Sequence, residues 1–597
     1  MSKVNFDSPE EKKAFWHTSS HILAQAVKRL YPNVKLAIGP AIENGFYYDF
    51  DIEKPFSLED LEKIEKEMAK IIKEDYKIKR FTLPRDEAIK FMQDRNEPYK
   101  IELIQELPDG EEISFYEQGD FTDLCAGPHL DSTGAVKAVK LLNATGAYWK
   151  GSEKNKMLTR IYGASNPNKV ALDEYLALLE EAKKRDHNKL GRELEYFTTV
   201  DYIGQGLPIM MPKGAKVLQI LQRFVEDEEE KRGYLLTKTP FMAKSDLYKI
   251  SGHWDHYRDG MFILGDIDEN GDKIGDKDGE VLALRPMTCP FQFQVYLAKM
   301  RSYRDLPMRF NETSYLFRNE ASGEIHGLIR VRQFTLSEGH IACRADQLEE
   351  EFAGCVDLAK FMLTTLGLEE NISYRFSKWD ANNKDKYIGD ADEWERVQNT
   401  MRGILNDLKI DYYEADGEAA FYGPKLDLQI KNVHGKEDTL ITIQIDFQLA
   451  SRFGMEYVDS DGTKKNPYVI HRSSIGCYER TLALLIEKYA GAMPAWLAPT
   501  QVKILPIGFN QHDFAYNLKN KMQALGIRVE VDDRNEKIGY KIREAQTDKV
   551  PYMLIIGDKE IQSGTVSVRS RKKGELGAVA VDDFIKVLLE EINSKAI

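Results

Sequence analysis

The chain has 597 residues, and at roughly 150 residues per domain that length suggests about four domains. Hydrophobic residues make up 42% and charged residues 30%, as in ordinary globular proteins, and the net charge of −14 argues against a protein that coats nucleic acid non-specifically. No window approaches the ~18 apolar residues of a membrane span, the N-terminus lacks a basic and then apolar signal, and five scattered cysteines do not make a disulfide framework, so a cytoplasmic location is expected.

In chain order, the first segment opens with a helix that places Trp16, Leu23, Val27 and Leu30 on one stripe. The same helix carries His17-Thr-Ser-Ser-His21, whose i, i+4 spacing puts both imidazoles on one face. Gly39-Pro40 reads as a turn and the alternating run 46–50 as a strand. Cys125-Ala-Gly-Pro-His129 adds two soft donors on a Gly-Pro turn. Spacing alone leaves a four-ligand zinc site and a packed polar cluster as equal alternatives. Lys100 and Asp123, taken singly, read as surface charges.

Residues 169–195 are charged with apolar residues at helical spacing, which predicts a linking helix. The block 196–497 mixes strand-like runs, such as 440–447, with long amphipathic helices, and Pro494 and Pro499 punctuate its end. The last hundred residues alternate: strand 502–507, helix 511–525, strand 528–531, helix 538–548, strand 552–556. That order predicts an α/β module with a mainly parallel sheet. Two basic clusters, Lys537, Lys541 and Arg543, then Arg569, Arg571, Lys572 and Lys573, are candidate RNA-facing patches, with solvated surface as the plain alternative.

The chemistry concentrates in the central block. Arg318 and Glu320, within Ser-Tyr-Leu-Phe-Arg-Asn-Glu at 314–320, offer a phosphate clamp and an acceptor for an amino group. Cys289, His340 and His471 form a three-ligand zinc set that leaves room for substrate. The combination suggests an enzyme that activates a compound with ATP and measures it with a metal.

Three runs in order resemble the motifs of the class II aminoacyl-tRNA synthetases: Arg232-Gly-Tyr-Leu-Leu-Thr-Lys-Thr-Pro240, Phe317-Arg-Asn-Glu320 and Gly476-Cys-Tyr-Glu-Arg480. Further runs narrow the resemblance to the threonyl-tRNA synthetases. They include Arg285-Pro-Met-Thr-Cys-Pro290, His326-Gly-Leu-Ile-Arg-Val-Arg332, Phe421-Tyr-Gly-Pro-Lys425 and Val469-Ile-His-Arg472 in the centre. Asn44-Gly-Phe-Tyr-Tyr-Asp49 and Arg534-Asn-Glu-Lys-Ile-Gly539 extend it to both ends.

The resemblance implies a multidomain α+β protein. Its parts would be an editing domain at 1–168, the linker at 169–195, an antiparallel-sheet catalytic domain at 196–497 and an α/β anticodon-binding domain at 498–597. It implies a homodimer formed through the first motif, with ATP, Mg²⁺, L-threonine and tRNA(Thr) as partners and one zinc per subunit. Arg318 would meet the ATP α-phosphate, Glu320 the adenine amino group, Arg480 the γ-phosphate region, and Arg330 would assist. Met287, Glu338, Tyr422 and Gln444 would bind substrate, and Cys289, His340 and His471 would hold the zinc. His17, His21, Lys100, Asp123, Cys125 and His129 would form the editing site, with a water held by polar side chains, and Asn535, Glu560 and Arg569 would read the anticodon.

The need for editing has a physical basis. A site that grips a hydroxyl can reject valine by ~10⁴–10⁵, whereas serine lacks only a methyl and is disfavoured by about 10–200-fold. Two positions depart from the family pattern: Leu336 stands where glutamine is usual and Glu338 where aspartate is usual. The ubiquitin-like domain common at the N-terminus of the family is expected to be missing. Two rival readings are a non-catalytic tRNA-binding relative and a class II enzyme for another amino acid such as proline. The first has no need of Arg318, Glu320, Arg480 and the metal ligands, and the second has none for the Cys/His/His set and the editing motifs.

Overall fold

Ser8 accepts a hydrogen bond from Glu11 N and starts α1 (Pro9–Leu30), with proline at the first helical position where no amide partner is needed. In the computed structural model, which describes residues 6, 8–42, 45–152, 154–265, 267, 280–383, 386–433 and 435–597, the chain divides into two units, Met1–Glu181 and Ala182–Ile597. Asn44 lies outside the described residues.

In the first unit, β1 (Lys35–Leu36), β2 (Ala41–Ile42) and β3 (Gly45–Asp51) precede α2 (Leu58–Glu74), which a Ser57/Asp60 capping box begins. A small antiparallel sheet follows from β4 (Ile78–Thr82), β5 (Ser114–Gln118) and β6 (Phe121–Leu124), with α3 (Arg85–Asp94) and α4 (Pro98–Glu106) between its first two strands. The long strands β7 (Ala138–Tyr148) and β8 (Met157–Asn166) complete a five-stranded antiparallel sheet in the order β1-β3-β8-β7, with β2 on β3. Alternation in β3 buries Phe46, Tyr48 and Phe50 in one core with Phe15, Leu23 and Val27 of α1 and Ile64 and Ile71 of α2. Trp16 joins that core, but Leu30, expected on the same stripe, ends the helix and is 39% exposed.

The segment expected as one linking helix is two. α5 (Lys169–Arg185) stops at Asp186, whose carboxylate accepts from Asn188 N and Lys189 N and so starts α6 (His187–Glu193). In the second unit α7 (Pro212–Lys231) leads into an eight-stranded sheet. Its strands are β9 (Leu235–Leu236), β10 (Met308–Phe317), β11 (Gln333–Cys343), β12 (Ile372–Ser377), β13 (Tyr412–Ala415), β14 (Lys425–Lys431), β15 (Glu437–Asp446) and β16 (Tyr468–Cys477). The order is β9-β10-β11-β16-β15-β14-β12-β13, with the central pairs antiparallel and only the outermost pairs parallel. The run Leu-Ile-Thr-Ile-Gln-Ile-Asp explains how the sheet is used. Ile441, Ile443 and Ile445 are fully buried against Phe352, Ala359 and Met362 of α9 (Leu348–Leu366), while Thr442, Gln444 and Asp446 point to the opposite face. α8 (Cys289–Leu297) precedes β10, and α11 (Tyr478–Lys488) follows β16; α10 (Ala391–Asp407) lies between β12 and β13.

The C-terminal module contains β17 (Val502–Pro506), α12 (His512–Ala524), β18 (Val529–Val531), α13 (Ile538–Thr547), β19 (Tyr552–Ile556), α14 (Asp558–Ser563), β20 (Thr565–Ser570), β21 (Gly574–Ala580) and α15 (Val581–Asn593). Its sheet is mixed rather than mainly parallel: β18 and β19 flank β17 in parallel, and β20 and β21 continue antiparallel. The connection 557–564 is too short for a parallel crossover, which needs a dozen or more residues. Two of the residues expected on basic patches have other tasks. Lys541 is buried and donates to Pro506 O (3.0 Å) and Asp532 O (2.9 Å), and Arg571 donates to Ala492 O (2.9 Å) and Met493 O (2.6 Å), joining the module to the preceding block.

Candidate functional site

The strand register builds the first site. His340 on β11 faces His471 on β16, which faces Gln444 on β15, which faces Lys425 on β14, so these residues form one row across the sheet. One step along, Glu338 faces Ser473. A bulge lies between Leu336 and Glu338, and Ser337 fills it by accepting from Ser474 N (3.1 Å) and Ile475 N (3.0 Å). Cys289, the first residue of α8, reaches the same row, and the donor atoms of Cys289, His340 and His471 lie within 4.8 Å of one another.

Neighbours fix both imidazoles. Gln292 donates to Thr237 Oγ1 (2.7 Å), which turns its Oε1 to accept from His340 Nδ1 at 2.6 Å. His340 Nε2 then carries the lone pair, and among the described residues it is a buried nitrogen with no hydrogen-bond partner. His471 Nε2 donates to Asp446 Oδ2 at 2.9 Å, leaving Nδ1 for a ligand. Burial holds His340 neutral and pushes the Cys289 thiol up. Two oriented imidazoles and a thiol form a donor set that fits zinc, whose charge would release the thiol proton.

Cys289, His471, Gln444 and Lys425 line a cavity of about 1040 Å³. Tyr422 donates to Gln444 Oε1 (2.7 Å) and its ring lies 5.0 Å from that of His471, with Met287 also on the wall. Leu336 packs with Leu316, Val331, Phe334 and Cys477, so the wall is apolar there. Glu338 places Oε1 at 3.6 Å from His340 Nε2, and burial raises its carboxyl above the usual range.

Arg318, Arg330 and Arg480 line the same cavity. Arg318 donates to Pro286 O (3.3 Å) with its guanidinium 5.2 Å from the Phe334 ring centre. Glu320 accepts from Arg330 Nε at 2.9 Å and Nη2 at 2.8 Å. Arg480 is held by the carbonyls of Ile329 (2.9 Å) and Thr439. Near the end of β16, before the helix that carries Arg480, Gly476 sits at φ +72°, where a Cβ would fall 1.9 Å from Leu440 O, so the close approach of β15 and β16 requires glycine.

A second cluster lies in the first unit. α1 presents His17 and His21 with rings 5.4 Å apart, and the turn after β6 brings in Cys125 and His129. Cys125 Sγ lies 3.2 Å from both His17 Nε2 and His129 Nε2, and all four donor atoms fall within 4.8 Å. Gly127 sits at φ +79° with Tyr116 Oη 2.2 Å from where a Cβ would be, so the turn accepts only glycine. Burial lowers His17 to about 4, depresses His21 and His129 further, and raises Cys125 to about 12. The cluster is therefore a set of neutral donors and acceptors at pH 7. Lys100 and Asp123 are not surface charges: they pair at 2.7 Å with side chains only 3% exposed. Asp123 also accepts from Tyr48 (2.5 Å) and lies 3.7 Å from His21 Nε2.

In the C-terminal module Asn535 is exposed after β18, and Arg569 is on the outward face of β20, 3.2 Å from Glu575. Glu560 accepts from Gly557 N (2.9 Å) as the cap of α14 and from Ser567 Oγ (3.3 Å). Ser567 and Arg569 share a strand face, so Glu560 and Arg569 flank one surface.

Sequence reasoning passed over Gln292, which the helical spacing from Cys289 puts on the same face three residues on, and Thr18, which accepts from Leu130 N (2.9 Å) and steadies the Cys125–His129 turn. It also left Tyr48 and Asp446 without roles, although both stood inside quoted runs or beside them.

Comparison with known proteins finds three domain matches along the chain. Residues 113–162 match the threonyl and alanyl tRNA synthetase second additional domain, 273–489 the class II tRNA synthetase core domain (G, H, P, S and T), and 501–591 the anticodon binding domain. The threonine–tRNA ligase of Clostridium perfringens is 65% identical over 590 residues, covering 99% of this chain and 90% of the relative. That of Clostridium botulinum is 63% identical over 595 residues, covering 100% and 91%. The RNA binding domain of threonyl-tRNA synthetase from Cryptosporidium parvum superposes with TM-score 0.63 at 30% identity, over 68% of this chain and 98% of that one. With three domain matches in order and that identity along nearly its whole length, the chain belongs to the threonine–tRNA ligase family.

Proposed function

We propose that this protein joins L-threonine to tRNA(Thr) at the expense of ATP and hydrolyses Ser-tRNA(Thr) in its first unit. The observation that carries the reading is the single cavity lined by Cys289 and His471 of the Cys289, His340 and His471 set together with Arg318, Glu320, Arg330 and Arg480. A threonine carboxylate oxygen attacks the α-phosphorus of ATP, the bond to the bridging oxygen breaks, and pyrophosphate leaves. Arg318 lies against the α-phosphate, where negative charge accumulates, and its fixed guanidinium stabilises that charge. Glu320 accepts from the adenine amino group, Arg330 holds that carboxylate in place, and Arg480 lies toward the γ-phosphate, with Mg²⁺ arriving on ATP.

Cys289, His340 and His471 would hold zinc, which as a Lewis acid would take the amino and hydroxyl groups of threonine. Met287, Tyr422 and Gln444 close the amino-acid pocket, and Glu338 accepts from the substrate. The terminal 3′-OH of tRNA(Thr) then attacks the threonyl carbonyl and AMP leaves. In the first unit His17, His21, Cys125 and His129 hold a water against the seryl ester, and the Lys100–Asp123 pair fixes its surroundings. The domains are read as 1–168, 169–195, 196–497 and 498–597, with Asn535, Glu560 and Arg569 at the anticodon.

Exposed Leu235, Leu236, Phe241 and Met242 on and beside edge strand β9 support a homodimer through the first motif. Among the described residues no helix is long and apolar enough to cross a membrane, and a cytoplasmic location fits tRNA charging. The deciding experiment is ATP–pyrophosphate exchange with each of the twenty amino acids. Threonine alone should support vigorous exchange, and exchange driven equally by another amino acid would overturn the assignment.

A further inference from the structure

The C-terminal module leaves a row of aromatic rings at the carboxyl edge of its parallel strands. β17 continues into 507–511, where Phe509 is 83% exposed and its ring lies 5.1 Å from that of His512. One helical turn on from His512, Tyr516 is also exposed and donates to Asp533 (2.6 Å) in the segment after β18. Tyr540, exposed on α13, lies 6.0 Å from the guanidinium of Arg534, beside Asn535. At the other end of the row, segment 507–511 is fastened to the start of α14. Ile507 N donates to Ile556 O (3.0 Å), Gln511 Nε2 to Asp558 Oδ1 (2.6 Å), and the Ile507 side chain lies against Gly557 and so beside Glu560. The rings thus run from the neighbourhood of Glu560 to that of Asn535.

The topology makes this edge a binding position. From β17 the chain passes to β18 on one side and later to β19 on the other, so the helices after β17 and β18 diverge. In open α/β sheets the crevice at such a reversal, outside the carboxyl ends of the strands, is where ligands lodge. Folding gives no reason for Phe509 to be there, since an aromatic ring stabilises a fold by burial and this one is outside the core. A flat, rigid ring in solvent, between an amide and a carboxylate that can read base edges, suits the face of an unpaired nucleobase.

We propose that Phe509 is a stacking platform for a splayed anticodon base of tRNA(Thr), with Tyr516 continuing the platform toward Asn535. The proposal rests on the function proposed above. Stacking supplies affinity that does not depend on base identity, and Glu560, Arg569 and Asn535 supply the discrimination at the edges.

The test uses the full-length protein. Phe509→Ala should raise the KM for tRNA(Thr) in aminoacylation by roughly 5- to 150-fold, the usual worth of one stacked base, at an unchanged thermal midpoint. Phe509→Tyr should restore it. Phe509→Trp should add fluorescence that tRNA(Thr) quenches, beyond any quenching of the parent protein. A Phe509→Ala KM within about twofold of the parent, where a stacked base is worth more, together with no added quenching in the tryptophan variant, would overturn the proposal while the aminoacylation reading stands. Equal loss on a tRNA(Thr) whose anticodon nucleotides are abasic would also overturn it, because with no base left to stack the ring would be serving RNA in general. A parent protein that fails to charge tRNA(Thr) removes the underlying reading and this one with it.

Discussion

Gln292→Leu isolates the part of the metal site that lies behind its ligands. Gln292 is fully buried, takes the Nδ1 hydrogen of His340 at 2.6 Å and is itself aligned by Thr237 at 2.7 Å. Leucine keeps most of the volume but no acceptor, so the buried Nδ1–H loses its partner at a cost of about 1–3 kcal/mol. The imidazole is then free to take the other tautomer, which would direct N–H instead of a lone pair at the metal. Loss of an orienting partner typically weakens metal binding by about 10–100-fold, or roughly 1.4–2.8 kcal/mol, in line with the hydrogen-bond figure. The assay is competition for zinc between the purified protein and a chelator at neutral pH. Gln292→Glu retains the acceptor and should hold zinc at least as tightly as the parent. If Gln292→Leu binds zinc with parental affinity and still prefers threonine to valine, the orientation argument fails.

Because burial raises the Cys289 thiol, zinc uptake should release a proton, and its apparent affinity should rise about tenfold per pH unit through neutrality; a flat profile would show that the thiol is not a ligand. Arg318→Ala should slow threonine-dependent pyrophosphate exchange by ~10²–10³, and an undiminished rate would remove Arg318 from the α-phosphate. Replacing His17 and His21 together with alanine should leave threonylation intact and let Ser-tRNA(Thr) accumulate, whereas a folded double variant that clears Ser-tRNA(Thr) at the parental rate would exclude an editing role. In metal-free protein, the folded-state value of about 4 for His17 lies below its ordinary 6.5, so the unfolded chain binds the proton more readily between those values. Stability of the first unit should therefore be full above pH 6.5 and fall as pH drops toward 4, by roughly 3 kcal/mol from His17 alone. Acid titration of its unfolding midpoint, with His17→Ala showing a shallower fall, checks the sign.

The sequence by itself determined what depends on local order. The 440–447 run alternates in a way that admits only a strand with one apolar face, and His17 and His21 share a helix face by spacing alone. The soft donors were legible as types, since few other residues hold a metal, and the motif order identified the class before any contact was known. Tertiary structure decided which residues meet. His340 and His471 are far apart in the chain, and only the register of β11 against β16 sets them opposite one another. Lys100 and Asp123 read as surface charges until α4 and β6 close over them, because burial is a property of what covers a residue and not of the residue. Lys541 and Arg571 look basic and exposed in sequence, yet they are consumed by backbone carbonyls at junctions no local pattern records. The direction of β20 followed from the length of one connection, and the exposure of Phe509 from the absence of any element across the carboxyl edge of β17 among the described residues. Local periodicity sets the face a side chain takes, and long-range pairing sets what that face meets.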